Sequence, residues 1–193
     1  MKLVMNGSEI EVPEDFTKLS GFLFDYVKDY IGSISDPEEA KKKMEESIPI
    51  SDDRFSILHV QTIRKFLELL KENEPEDYEN SKEIIEKNLK KEKIEELPEW
   101  AFGFFESIEK DTLFTTMNCA NYLLIKSFFM YSTKYVADKT VGMDVREMRN
   151  FLNEDFDFSN EDIEAFKAEE SWKLLMIENG LIPAEEGDSS SDE

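Results

Sequence analysis

The residues able to do covalent or metal chemistry are few. The chain has one histidine, His59, and one cysteine, Cys119, so a zinc centre of the His/Cys type, which needs about three or four such ligands, cannot be assembled from it. Cys119 and His59 are also the only thiol and imidazole from which a nucleophile and base pair could be built. Cys119 lies in the run 117–123, where a buried small hydrophobe is the ordinary role. His59 follows Ile57 and Leu58 on a helix-like stretch, the setting of a structural histidine. The seven glycines form neither G-x-G-x-x-G nor G-x-x-x-x-G-K-[ST], so no cradle for a nucleotide phosphate is encoded. Asp155, Asp157 and Ser159 open like a calcium loop, but Asn160 stands where glycine is required and Phe166 where a bidentate glutamate is required. Carboxylate pairs such as Asp52 with Asp53, or Glu169 with Glu170, read as solvated helix faces in so acidic a chain. The expectation is a protein with no catalytic residues, no metal and no cofactor.

Those residues sit in a chain of 193 residues, about one domain, with 45 acidic and 23 basic side chains and a formal charge of −22. Such a charge repels phosphate backbones and anionic lipid, which excludes sequence-independent nucleic-acid binding and membrane-surface binding and favours a basic or neutral partner. Hydrophobic residues make up 40% and there are 15 phenylalanines, too apolar for an acidic disordered chain. One cysteine cannot form an internal disulfide, and no apolar run with a cleavage site marks the first residues, so the expected setting is cytoplasm and nucleus. No stretch approaches the ~20 apolar residues of a membrane helix; the run 101–105 is boxed in by Glu99 and Glu106.

The elements follow from spacing. Leu3 to Met5, Asn6-Gly7, then Glu9 to Val12 predict a hairpin with a type I′ turn. From Phe16, the series Leu19, Phe22, Leu23, Tyr26, Val27, Tyr30 predicts one amphipathic helix, broken by 32–37. The stretch 36–46 reads as a surface loop or short exposed helix, and Ile48-Pro49-Ile50 as extended. Ser51 is the expected cap of a helix whose stripe is Ile63, Phe66, Leu67 and Leu70. Residues 73–99 are charge-dense and read as a mobile, solvent-exposed insertion closed by Leu97-Pro98-Glu99-Trp100. Two linked core helices follow, with Leu113, Met117, Ala120 and Leu124 on one stripe and Ile125, Phe128, Phe129, Ser132 and Val136 on the next. Asp144 with Glu147 forms a capping box for a helix bearing Val145, Met148, Phe151 and Leu152. Ser159 with Asp162 begins a last helix carrying Trp172, Leu175 and Met176, and the acidic, serine-rich tail is expected to be disordered.

Thr112-Leu113-Phe114, Ala120-Asn121-Tyr122-Leu123 and Ile125-Lys126 resemble the Skp family, the S-phase-kinase-associated adaptors of SCF ubiquitin ligases. Lys134, Val136-Ala137, Gly142, Glu147, Arg149, Asn153, Asp157-Phe158 and Trp172 continue the resemblance downstream, and the hairpin, Ile48-Pro49-Ile50 and Leu97-Pro98-Glu99-Trp100 extend it upstream, over about residues 1–180 in all. The resemblance implies an α/β (α+β) fold: a BTB/POZ-type, cullin-binding domain at 1–140, with a small N-terminal sheet, helices and the charged insertion at 73–99. C-terminal F-box-binding helices at 141–180 and the acidic tail at 181–193 would follow. It implies a non-catalytic bridge with cullin and F-box proteins as partners. The cullin side carries over to Asn121 and Tyr122, with Ile125 and Lys126 adjacent; the F-box side carries over to Val136, Met148, Leu152 and Trp172.

The residues themselves agree with a groove at the C-terminal end. Met148, Phe151, Leu152, Trp172, Leu175 and Met176 are more apolar surface than a terminal pair of helices readily covers alone, which also allows weak homodimers of the free protein. The sequence departs from the family at Leu124, where an aspartate is usual, at Ser127 for glycine, at Val145 for proline, and at the bulky Phe128 and Phe129. The competing reading is an acidic chaperone for basic partners that has lost cullin binding; salt separates the two, because electrostatic capture weakens with ionic strength and an apolar groove does not.

Overall fold

A computed structural model describes residues 1–89 and 94–154. It divides into two units, Met1–Val141 and Gly142–Glu193. The first unit is mostly helical with one small sheet at its N-terminus.

In the sheet, β1 (Lys2–Met5) lies between antiparallel β2 (Ser8–Glu11) and parallel β3 (Ser47–Pro49). Asn6 and Gly7 both take positive φ, 48° and 74°, as the two-residue hairpin requires. Leu3 pairs with Ile10 on one side and Ile48 on the other, so the buried face of the sheet is set by the central strand.

The expected single helix from Phe16 is instead three pieces: α1 (Glu14–Leu19), α2 (Gly21–Asp25) and a π-helical turn (Tyr26–Ile31). The break is at Ser20, which is extended and fully buried, and whose hydroxyl is committed elsewhere in the fold. α3 (Pro37–Glu45) is a short helix with no buried residue, begun by Asp36, whose carboxylate accepts from the Glu38 N–H.

α4 (Ile57–Asn73) is the central helix, burying Val60, Ile63, Phe66, Leu67 and Leu70. Its cap is Ser56 rather than Ser51, because the Ser56 N–H donates to His59 Nδ1 at 2.9 Å. His59 thus closes a capping box usually made by glutamate or glutamine. Phe66, fully buried, is ringed by Trp100, Phe104, Phe105, Phe128 and Tyr131 with centroids 5.2–5.7 Å away.

The charged insertion is not wholly solvent-exposed in its described part. α5 (Pro75–Glu86) starts on a proline suited to the first helical position and buries Tyr78, Ser81 and Ile85. Polar ties hold it: Trp100 Nε1 donates to Glu74 at 2.9 Å, the Tyr131 hydroxyl reaches Glu74 and Asp77 at 2.9 and 3.0 Å, and Tyr78 donates to Asp15 at 3.2 Å. Lys71 and Lys82 also pair with Asp15, one on each carboxylate oxygen. Burial and these carboxylates push the Tyr78 and Tyr131 hydroxyls well above the usual phenol range.

α6 (Glu99–Glu106), α7 (Lys110–Tyr122) and α8 (Lys126–Thr140) complete the first unit. The two linked core helices are as expected, except that Leu124 lies outside both and Phe129 is 36% exposed. In the second unit, α9 (Val145–Phe151) carries the expected capping box: Asp144 accepts from the Glu147 N–H at 2.8 Å and Glu147 from the Asp144 N–H at 3.0 Å. The expected helix beginning at Ser159 and the expected disordered tail lie outside the described residues. No described helix is long and apolar enough to cross a membrane.

Candidate protein-interaction surface

The end of α7 is closed by two backbone bonds, from Ile125 N–H to the Ala120 carbonyl at 2.8 Å and from Leu124 N–H to the Asn121 carbonyl at 3.1 Å. This is a Schellman turn, in which the residue after the cap is left-handed. Leu124 takes that conformation, with φ 54°. Glycine or asparagine is the usual occupant, and a branched-chain residue there accepts about 1–2 kcal/mol of strain.

The carbonyls left over at this helix end are met by the start of α2. Ser20 Oγ donates to the Leu123 carbonyl at 2.6 Å while accepting from the Leu23 N–H at 3.2 Å. Gly21 N–H donates to the Leu124 carbonyl at 3.2 Å, and Phe22 N–H to the Leu123 carbonyl at 3.3 Å. A helix N-terminus with spare donors has been docked on a C-terminus with spare acceptors. Glycine is needed for it: a Cβ at Gly21 would lie 3.0 Å from the Leu124 Cβ.

This junction holds up a small exposed ledge. Tyr122 is 38% and Leu124 46% exposed, and Asn121 is exposed beside them. The Tyr122 ring rests on Phe22 and Phe55, at centroid distances of 5.7 and 5.6 Å. Phe55 is buried at the end of a loop pinned by Asn6, whose side-chain amide donates to the carbonyls of Asp53 at 2.9 Å and Phe55 at 3.1 Å. In the same loop Arg54 grips Asp52 through two bonds, at 2.9 and 2.6 Å, and the guanidinium holds the Asp52 carboxyl below its usual range. The ledge therefore offers a phenol, a carboxamide and an aliphatic side chain on a fixed base, which is equipment for binding.

The thiol and imidazole are both structural here. Cys119 is fully buried, and burial, with Asp52 nearby, pushes its thiol up to about 12, leaving no thiolate at neutral pH. His59 is spent on its helix cap, and burial lowers its pKa. Among the described residues no group of acidic, histidine or cysteine side chains is placed to hold a metal ion.

Of the residues expected on the cullin side, Asn121 and Tyr122 are on this ledge. Ile125 is fully buried, so its side chain is part of the support. Lys126 is half-buried and donates to the Leu89 carbonyl at 3.0 Å, tying the first turn of α8 to the chain that follows α5. Of those expected on the F-box side, Val136 is partly buried against the core of the first unit. In the second unit Met148 and Leu152 are each 36% exposed and Phe151 is half-buried. Trp172, Leu175 and Met176 lie outside the described residues. Sequence reasoning missed Phe22, Phe55, Ser20 and Gly21 as builders of the ledge. The available signal was Ser20-Gly21, a cap residue and a glycine in the middle of an otherwise continuous helical period.

Residues 126–173 match the family model described as Skp1 family, dimerisation domain. The chain is similar to SKP1-like protein 19 of Arabidopsis thaliana, 31% identical over 91 residues, which is 47% of this chain and 46% of that protein. Over 78 residues it is 37% identical to SKP1-like protein 12 of the same plant, covering 40% and 51%. To SKP1-like protein 5 it is 34% identical over 95 residues, covering 47% and 62%. The matches span about half the length of the relatives. With a family-model match across α8 and α9 and several relatives at this identity, the chain is similar to the Skp1 family over about half of its length.

Proposed function

We propose that this protein is a non-catalytic adaptor subunit of an SCF-type cullin-RING ubiquitin ligase, working in the cytoplasm and nucleus. In this reading the unit up to about residue 140 is a BTB/POZ-type domain that binds the N-terminal region of a cullin. Residues 141–180 bind F-box substrate receptors, and the acidic tail at 181–193 is accessory. The observation that carries it is the Asn121–Tyr122 ledge, exposed and braced on Phe22 and Phe55 immediately before the segment that matches the family model.

The mechanism is scaffolding. Tyr122 can be buried by a partner at little entropic cost because its ring is already held on two others, and aromatic residues of this kind dominate interface energies. Met148 and Leu152, three and seven places after Val145, form with it one apolar face of α9 that a helical F-box motif would cover. Leu124 puts an aliphatic side chain where the family carries an aspartate. The reading therefore assigns this chain a cullin whose facing position is apolar or neutral.

The test is a pull-down from lysate at low and high salt with mass-spectrometric identification, comparing the wild type with Tyr122→Lys and Trp172→Ala. Salt-resistant loss of a cullin with the first change and of F-box proteins with the second supports the bridge. Recovery of basic proteins alone, washed off by salt, refutes it.

A further inference from the structure

The turn that leads into α4 uses three hydrogen bonds to orient one cation. Arg54 donates to Asp52 from its backbone N–H at 3.0 Å, from Nε at 2.9 Å and from Nη2 at 2.6 Å. All three close on a residue two places away, so they fix Arg54 without joining it to another element. An exposed pair of this kind adds little to stability, and the Arg54 side chain remains 69% exposed. What the bonds achieve is orientation: the guanidinium is held by its Nε–Nη2 edge, and Nη1 has no partner among the described residues. We infer that Arg54 is a specificity-determining residue of the ledge, presenting this free edge to a carboxylate on the cullin. The inference rests on the adaptor reading and names what the cullin must carry.

The position of Arg54 ties it to Tyr122. Its Cζ lies 5.7 Å from the centroid of the Phe55 ring, and that ring lies 5.6 Å from Tyr122. Asn6 pins the carbonyls on either side of Arg54, those of Asp53 and Phe55, so the base under the cation is fixed. The other ring under Tyr122, Phe22, follows Gly21, which packs on Leu124. One support of Tyr122 thus adjoins an aliphatic side chain and the other a guanidinium. Lys126, the cation that follows in sequence, is turned to the Leu89 carbonyl at 3.0 Å. A planar guanidinium can hold a carboxylate on each of two edges, and here one edge is taken by Asp52 while the other is open. Because it is already oriented, it loses little freedom when a partner binds. The chain as a whole carries −22 and repels an acidic partner surface, so a carboxylate is accepted only where a fixed cation meets it. The matching surface is an acidic residue beside the apolar or neutral position that faces Leu124.

The experiment uses the full-length protein and, as probe, the N-terminal region of the cullin recovered in the pull-down, with affinity measured by calorimetry at low and high salt. Arg54→Gln should weaken binding at least about tenfold at low salt and clearly less at high salt, with an unchanged urea midpoint. The equal charge change Lys41→Gln on exposed α3 should leave binding within about twofold. Asp52→Asn keeps an oxygen for the turn and leaves the guanidinium in place, so it should cost much less than Arg54→Gln. Among the acidic residues of the probe, changed singly to their amides, one should lose as much as Arg54→Gln and lose nothing further in the Arg54→Gln background. Binding that Tyr122→Lys abolishes but Arg54→Gln leaves within twofold would overturn the inference and keep the adaptor reading. Equal loss from Asp52→Asn would overturn it in favour of a brace for Phe55, and a loss indifferent to salt would overturn the carboxylate. Recovery of no cullin by the wild type would overturn the adaptor reading and this inference with it.

Discussion

Gly21→Ala is the most exacting probe of the junction that supports the ledge. The added methyl would sit 3.0 Å from the Leu124 Cβ, and the approach is fixed by the Gly21 N–H bond to the Leu124 carbonyl at 3.2 Å and the flanking bonds to Leu123. Overpacking of this kind costs about 1–3 kcal/mol, offset by a helix-propensity gain of up to about 1 kcal/mol. The net expectation is a loss of about 1–2 kcal/mol, which lowers the melting temperature of a domain this size by roughly 2–8 °C. If the cause is the Leu124 side chain, removing it should abolish the effect. On a Leu124→Gly background Gly21→Ala should be neutral or slightly stabilising, a coupling of about 1–2 kcal/mol in a double-mutant cycle measured by urea unfolding. The same loss in both backgrounds would refute the reasoning, since the clash would then not lie between these two residues.

Other expectations concern buried polar groups. Among the described residues Ser127 Oγ is buried without a hydrogen-bond partner, so Ser127→Ala should raise stability by about 1 kcal/mol, read as a higher urea midpoint at unchanged slope. His59 must be unprotonated at Nδ1 to accept from Ser56, and burial lowers its pKa in the folded state. Its contribution is therefore complete above the unfolded value of about 6.5 and is lost as pH falls below it, with a slope of at most about 1.4 kcal/mol per pH unit. His59→Gln, which caps at any pH, should remove that slope from the difference between the two unfolding curves. Cys119 should be inert to a disulfide reagent at pH 8 in the folded protein and react on unfolding, giving a direct readout of global opening.

Local signals were enough for several elements. Asn6-Gly7 fixes its hairpin because both residues tolerate positive φ, Asp144 and Glu147 fix the start of α9, and the stripes through Phe66 and Phe128 fix two of the core helices. What escaped was decided by tertiary contacts. The period through Phe22 and Tyr26 runs unbroken across Ser20, and only the free carbonyls of Leu123 and Leu124, about a hundred residues away, explain why the helix breaks there. The insertion is charge-dense, yet Tyr78 and Ile85 suffice to bury one face of α5 once Trp100 and Tyr131 tie down Glu74. At the ledge, Asn121 and Tyr122 were legible through the family resemblance. Phe22 and Phe55 were not, because no local pattern marks which rings will lie under Tyr122.

The central claim is that one chain holds two partners at once, and it is tested most directly by reconstitution. Purified protein is mixed with a cullin N-terminal region and an F-box protein, and the mixture is resolved by size exclusion with light scattering. The account predicts a single complex with one copy of each, from which Tyr122→Lys releases the cullin alone and Trp172→Ala the F-box protein alone. A protein that binds neither, or whose two partners displace each other, would contradict it.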